Sequence, residues 1–140
     1  MKHWVTLLSM CLFSTLSLTA QSQEQPDYYI FSIYFGGGRY HIDQIQVEKL
    51  QAWLSEIPDL DMHQISIHSH TDDIGSKEYN AFLSYMRGQA ALQQLLLYGI
   101  PEAVISIEDF GEFNPVYDNS TWEGRLKNRR VDIIIRPLPV

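Results

Sequence analysis

Three polar side chains in the middle of the chain have the types and spacing of a site for a small charged ligand. Asp72 follows an apolar segment at a polar turn, and Asn80 and Arg87 lie seven residues apart in the helical pattern that comes next. Seven residues make about two helical turns, roughly 10 Å, so both share one helix face. A carboxylate beside a guanidinium suits a ligand that carries an ammonium and a carboxylate on one carbon. Spacing alone also allows a plain Asp–Arg salt bridge that closes a loop.

Histidines offer a second set of candidate side chains. His68 and His70 alternate on a predicted strand, so both point to one face, with Asp72 beyond them. Such a run can bind zinc, which keeps a metal site and a zinc-dependent hydrolase as minor alternatives. Ser84 has no obvious base partner, and the single cysteine, Cys11, lies close to the N-terminus. His41 and His63 have no clear geometry that would complete a metal site. We predict no catalytic activity, no metal site and no cofactor.

The elements that must position these side chains are strands and helices in alternation. Strand patterns cover residues 28–35, 64–69, 104–107 and 131–135. Helical patterns with capping residues cover about residues 43–57, 76–98 and 120–130, the last predicted to be capped by Ser120. The order β-α-β-α-β-(α)-β predicts an α+β sandwich with helices packed on one face of a small mixed sheet.

The long second helix has an apolar stripe that we expect to face the sheet. Its members fall within a narrow arc of the helical wheel and are Phe82, Leu83, Met86, Ala90 and Leu97. The face that carries Asn80 and Arg87 is offset from this stripe and is expected to border solvent. Leu92 and Leu95 also fall outside it. Gly99 is placed to end the helix, and Pro101 prevents its continuation.

The N-terminal segment is typical of an export signal. Residues 1–20 combine Lys2, an apolar run too short to anchor stably in a bilayer, and a small residue at Ala20. We predict a signal peptide over residues 1–20, a polar spacer over 21–27 and one domain over 28–140. Cys11 lies inside the predicted signal, and lipid attachment there is disfavoured because Met10 precedes it. The expected location is the periplasm, with or without peripheral attachment to the outer membrane.

The charge balance restricts the class of partner. The whole chain has a formal net charge of −7, and without residues 1–20 nine basic and seventeen acidic side chains leave −8. Nucleic acids require a basic surface, so we exclude them as partners. A small zwitterionic ligand is not excluded, since a few placed charges recognise it.

Two motifs in the right order resemble the OmpA-like C-terminal domain, a family found in outer-membrane porins, peptidoglycan-associated lipoproteins and flagellar stator proteins. The first reads His70-Thr71-Asp72, then Gly75, Asn80, Leu83-Ser84 and Arg87. The second reads Gly111-Glu112, then Asn119, Thr121, Glu123-Gly124-Arg125 and Asn128-Arg129-Arg130-Val131. The resemblance covers about residues 30–135.

The resemblance implies non-covalent binding of peptidoglycan through the diaminopimelate-type residue of its stem peptide. Asp72 would hold the ammonium, Arg87 the carboxylate, and Asn80 would shape the site. The positions expected to line or border the pocket are Phe35, Gly36, Leu83 and Arg129. An outer-membrane or other envelope protein is the expected second partner, and the oligomeric state stays open, a dimer included. The alternative is a protein-interaction module of the same fold that has lost wall binding.

The sequence departs from the family pattern at a few positions outside the charged pair. Ser69 and Asp109 stand where the family usually has glycine, and Gly88 stands where it usually has alanine. The loop after the first strand, which commonly contains an aspartate, is here Gly36-Gly37-Gly38-Arg39. The triple glycine is expected to alter the shape of the pocket.

Overall fold

The computed structural model describes residues 28–138. The predicted signal peptide, Cys11 and the predicted spacer over residues 21–27 lie outside the described residues. Within residues 28–138, no helix combines the length and the apolar character needed to cross a bilayer.

Strands and helices alternate along the described chain in the predicted order. The elements are β1 (Tyr29–Tyr34), α1 (Gln44–Glu56), β2 (His63–His70), α2 (Lys77–Tyr98), β3 (Ile105–Gly111), α3 (Trp122–Asn128) and β4 (Arg130–Pro137). They form a four-stranded sheet of order β1-β4-β2-β3. Strand β4 is antiparallel to both of its neighbours, whereas β2 and β3 are parallel. The predicted α+β fold with a mixed sheet is therefore confirmed.

The core lies between one face of the sheet and the helices. Alternate residues of the central strands point inward, and Ile65, Ile67 and Ile133 are almost completely buried. Leu50 and Leu54 of α1 pack against them. The helix ends agree with the sequence, since Asp43 and Ser76 cap α1 and α2 through their side chains. Gly99 ends α2 in the left-handed conformation, with φ of 101°.

The predicted apolar stripe of α2 is confirmed at Leu83, which is buried, and is wrong at both of its ends. Phe82 and Leu97 are exposed, whereas Leu92 and Leu95, which fell outside the stripe, are buried. Asn80 and Arg87, expected at the solvent border, are both 0% exposed. The helix face that packs against the sheet contains polar and small residues as well as leucines. Because the prediction followed the apolar residues alone, it selected a neighbouring face.

Two boundaries also differ from the prediction. Strand β3 continues to Gly111 because its backbone stays paired with β2 through a register shift at Ser69 and His70. Helix α3 is capped by Thr121 and not by Ser120, since the Thr121 side chain accepts a hydrogen bond from the Gly124 amide. The side chain of Ser120 donates instead to Asp118.

Candidate functional site

Asp72 occupies the turn that leaves β2 and is 6% exposed. One carboxylate oxygen accepts a hydrogen bond from the backbone amide of Ile74, with an N···O distance of 3.2 Å. This bond to the residue two positions ahead is an Asx turn, which orients the side chain. The second oxygen accepts from Arg129 Nε at 2.6 Å. The carboxylate is therefore held in place by its own turn and by one guanidinium.

Arg129 comes from the junction between α3 and β4 and is the cation nearest to this carboxylate. It is 5% exposed. Its guanidinium lies over the ring of Trp122, 5.2 Å from the ring centroid, in a cation–π contact. Gly37 faces the same guanidinium from the loop after β1. Three separate segments therefore meet at the pair of Asp72 and Arg129.

Arg87 is completely buried, and its guanidinium is held by main-chain carbonyl groups. Nε donates to Arg39 O at 2.8 Å, Nη1 to His70 O at 2.9 Å, and Nη2 to Gly36 O at 3.2 Å. The ring of Phe35 lies 4.9 Å from the guanidinium carbon. Burial lowers the pKa of Arg87 to about 10, with Arg129 acting in the same direction and Asp72 opposing it. Arg87 remains charged at neutral pH and joins the end of β2 to the loop after β1.

Asn80 lies one turn inside α2 and is completely buried. Its side-chain nitrogen donates to Glu112 at 2.7 Å, which ties α2 to the segment after β3. Its side-chain oxygen has no hydrogen-bond partner among the described residues. A carbonyl oxygen buried without a partner costs free energy, so a bridging water or ligand group would stabilise this position.

A cavity of about 240 Å³ opens beside the pair of Asp72 and Arg129. Both side chains line it, and the rest of its wall is formed by Gly37, Gly38, Ile74, Gly75, Tyr79 and Leu83. Gly38 has φ of +63°, and a Cβ atom there would lie 3.1 Å from the Tyr79 hydroxyl. Only glycine fits that position without strain, and the cavity mouth thus depends on the triple-glycine loop.

The structure separates the residues named from the sequence into two groups. Asp72, Leu83 and Arg129 line the cavity. Phe35, Gly36, Asn80 and Arg87 do not line it: Arg87 contacts Phe35 and Gly36, and Asn80 bonds to Glu112. The sequence did not single out Tyr79, although its position four residues before Leu83 places both on one helix face.

The two histidines of the alternative metal site do share a sheet face, as predicted, but it is the face away from the cavity. His70 stacks on Phe110 at 5.0 Å, and His68 contacts the same ring edge-on. Arg130 also lies on this face, where its guanidinium binds Asp132 at 2.9 Å. Among residues 28–138, no group of three or more His, Cys, Asp or Glu side chains is arranged to hold a metal ion.

The arrangement is suited to binding a zwitterion. A fixed carboxylate and a guanidinium stand side by side at the wall of a small cavity, with a second buried guanidinium behind them. An ammonium group of a ligand would be attracted to Asp72, and a carboxylate to Arg129 through charge-assisted hydrogen bonds.

Comparison with known proteins agrees with this description. The sequence model of the OmpA family matches residues 34–129. The outer-membrane lipoprotein YfiB of Pseudomonas aeruginosa is 37% identical over 76 residues, which are 54% of this chain and 45% of that protein. The peptidoglycan-binding protein ArfA of Mycobacterium tuberculosis is 36% identical over 72 residues, 51% of this chain and 22% of that protein. The chain spans less than half the length of these two curated relatives.

Solved structures show the same fold. The peptidoglycan-associated lipoprotein of Burkholderia pseudomallei superposes with a TM-score of 0.65 at 25% identity, over 75% of this chain and 89% of that chain. The periplasmic domain of Helicobacter pylori MotB gives a TM-score of 0.65 at 20% identity, over 83% and 80% of the two chains. The names of these relatives describe envelope and wall-binding proteins, in agreement with the prediction that the chain is not an enzyme. Because the family match covers more than half of the chain, including the whole first motif and the second as far as Arg129, the chain belongs to the OmpA family.

Proposed function

We propose that this chain binds peptidoglycan without a covalent bond, through the diaminopimelate-type residue of the stem peptide. The observation that carries the proposal is the fixed Asp72 carboxylate beside Arg129 at the wall of a cavity. The similarity to proteins named as peptidoglycan-binding or peptidoglycan-associated supports it. In this proposal the chain is exported to the periplasm, where it tethers the wall to the outer envelope.

Asp72 is assigned to the ammonium group of the ligand, and the arginines to its carboxylate. A ligand ammonium at Asp72 would take over the oxygen that now accepts from Arg129 Nε, which frees that guanidinium for the ligand carboxylate. Arg87 uses three N–H groups on main-chain carbonyls, and an arginine has five. Its remaining N–H groups and its buried positive charge stabilise the same carboxylate. Asn80 keeps α2 and the segment after β3 in place around the site.

The test is co-sedimentation of the protein with purified peptidoglycan sacculi. Asp72→Asn preserves the shape of the side chain and removes its charge. The matched control is Asp73→Asn, since Asp73 is adjacent, exposed and paired with Arg125 at the surface. A hydrogen bond to a charged group contributes about 1.5–3 kcal/mol, so Asp72→Asn should weaken binding at least about tenfold. Free diaminopimelate should release the wild-type protein from the sacculi.

Each outcome is informative once circular dichroism has confirmed that the variants are folded. Failure of the wild type to sediment with sacculi overturns the proposal and favours the protein-interaction module. Equal sedimentation of the Asp72 and Asp73 variants would place the wall-binding site elsewhere. Arg87→Ala is a poor test by itself, because it removes the donor to the buried carbonyl of His70 and the two bonds that hold the loop carbonyls of Gly36 and Arg39.

A further inference from the structure

A second cavity lies beside the first, along the same helix. This cleft of about 320 Å³ is called the glutamine cleft here. Its apolar part is formed by Ile42, Met86 and Ala90. Its polar groups come from Tyr40, His41, Gln89, Gln93 and Gln94. None of the roles assigned to the Asp72 site uses these residues.

The helix residues that line the two cavities follow one another along α2. Tyr79 and Leu83 line the Asp72 cavity, and Met86, Ala90 and Gln93 line the glutamine cleft. These positions recur at intervals of three or four residues, which places them on one face of α2.

The segment after β1 contributes a wall to both cavities. Gly37 and Gly38 line the first cavity, and residues 40–42 line the second. Arg87 holds this wall from behind through its bonds to the carbonyl groups of Gly36 and Arg39. A linear ligand that follows α2 and the segment after β1 would therefore meet both cavities.

The chemistry of the glutamine cleft differs from that of the Asp72 cavity. Its lining contains no Asp, Glu, Lys or Arg side chain, and the imidazole of His41 is its one basic group, so it lacks the fixed charges of the Asp72 cavity. Glutamine amides both donate and accept hydrogen bonds, which matches hydroxyl and acetamide groups. The ring of Tyr40 is 44% exposed and offers a flat apolar surface with a polar tip. Planar amides, an aromatic ring and an apolar floor together suit an N-acetylated sugar.

The spacing of the cavities agrees with this ligand. The midpoints of the helix segments that line them are about nine residues apart, which is about 13 Å along the helix axis. A stem peptide is a short chain that hangs from the amino sugars of the glycan strand. Two to four residues of extended chain span roughly 7–14 Å, so a peptide anchored at Asp72 can reach its own sugar in the neighbouring cleft.

We propose that the glutamine cleft binds the N-acetylated amino sugar to which the bound stem peptide is attached. This inference rests on the proposed function of the Asp72 cavity, because the peptide brings the sugar to the cleft. The protein would then recognise the junction between glycan and peptide and not the diamino acid alone.

The experiment compares two ligands by isothermal titration calorimetry. One is a stem peptide that contains diaminopimelate, and the other is the same peptide attached to its N-acetylated disaccharide. We expect the wild type to bind the second ligand about ten times more tightly. Gln89→Ala combined with Gln93→Ala should reduce this ratio to about one and leave the affinity for the free peptide unchanged. Gln51→Ala, an exposed glutamine of α1 outside the cleft, is the matched control and should keep the wild-type ratio.

The outcomes separate the two proposals. An equal affinity of the wild type for both ligands, or a ratio that survives the double substitution, overturns the sugar site. If Asp72→Asn leaves the affinity for the peptide unchanged, the proposed function of the Asp72 cavity fails. The ratio of the two ligand affinities would still show whether the glutamine cleft binds the sugar. Binding of the peptide-free disaccharide is a readout independent of Asp72, since it should shift the NMR signals of the Gln89 and Gln93 side-chain amides. Absence of such shifts at millimolar disaccharide contradicts the inference.

Discussion

Arg87 shows that one charged side chain can support a fold and a site together. Its guanidinium is completely buried, donates to the carbonyl groups of Gly36, Arg39 and His70, and lies over Phe35. A buried cation is tolerated only when its donors are satisfied, and here the main chain satisfies three of them. Any Arg87 variant will therefore displace the loop after β1, so its binding data would not isolate the ligand contact proposed for Arg87, whereas Asp72 can be changed more cleanly.

His70 carries a pH-dependent contribution to stability on the other sheet face. Burial, and secondarily the charge of Arg130, lowers its pKa from 6.5 to about 4, while Asp132 opposes the shift and His68 adds to it. The folded state therefore binds fewer protons than the unfolded chain between these values. The stabilising contribution is complete above about pH 6.5 and is lost as the pH falls towards 4.

We predict that the free energy of unfolding of the wild type falls by about 2 to 3 kcal/mol more than that of His70→Gln between pH 7 and pH 4. Urea unfolding at several pH values, followed by circular dichroism, measures both profiles. His41→Gln, which changes an exposed histidine, should keep the wild-type slope. Parallel profiles for the wild type and His70→Gln would show that His70 does not carry this dependence.

At the scale of elements, three departures from the family pattern prove to be neighbours. Ser69 of β2 and Asp109 of β3 are paired in register, and Gly88 of α2 packs over both. A Cβ atom on Gly88 would lie 2.9 Å from Asp109 Oδ1 and 3.7 Å from Ser69 Cβ. The family usually has glycine, alanine and glycine at these places. Compared with that pattern, this chain has a smaller residue on the helix, at Gly88, and larger residues on the two strands, at Ser69 and Asp109.

This exchange predicts an energetic coupling between Gly88 and Asp109. Alanine favours a helix over glycine by about 1 kcal/mol, but the Asp109 carboxylate occupies the space that the methyl group would need. We expect Gly88→Ala to be more favourable by about 0.5–1 kcal/mol when Asp109→Ala is also present. Denaturant unfolding of the four proteins of this double-mutant cycle measures the coupling. The remote control Asp73→Ala should show none, and additivity of the Gly88 and Asp109 changes would contradict the compensation.

The sequence predicted the order of elements, the sheet type and three of the residues that line the cavity. It failed on the inward face of α2, because Asn80, Ser84, Arg87 and Gly88 occupy that face and interrupt its apolar periodicity. Asn80 and Arg87 can be buried on this face because Asn80 donates a hydrogen bond to Glu112 and Arg87 donates to main-chain carbonyl groups. The pairing of Asp72 with Arg129 was not predictable from spacing either, since 57 residues separate them and only the docking of β4 brings them together.

On the scale of the whole molecule, the last strand holds the sheet together. Strand β4 lies between β1 and β2, and its residues Val131, Ile133 and Ile135 are completely buried. In the sheet formed by residues 28–138, β1 pairs with β4 alone. Arg129 immediately precedes β4, so the same docking step completes the core and delivers the guanidinium to Asp72.

A chain that ends at residue 128 should therefore not fold, because it lacks both the central strand and the partner of β1. We expect no cooperative thermal transition by circular dichroism, whereas a chain that ends at residue 138 should unfold in a single transition like the full-length protein. A synthetic peptide of residues 129–140 should restore part of the folded signal in trans if docking of β4 is the limiting step. A cooperative transition in the shortened chain at the wild-type temperature would instead mean that β1, β2 and β3 form a stable unit without the central strand, and that the site is completed after folding.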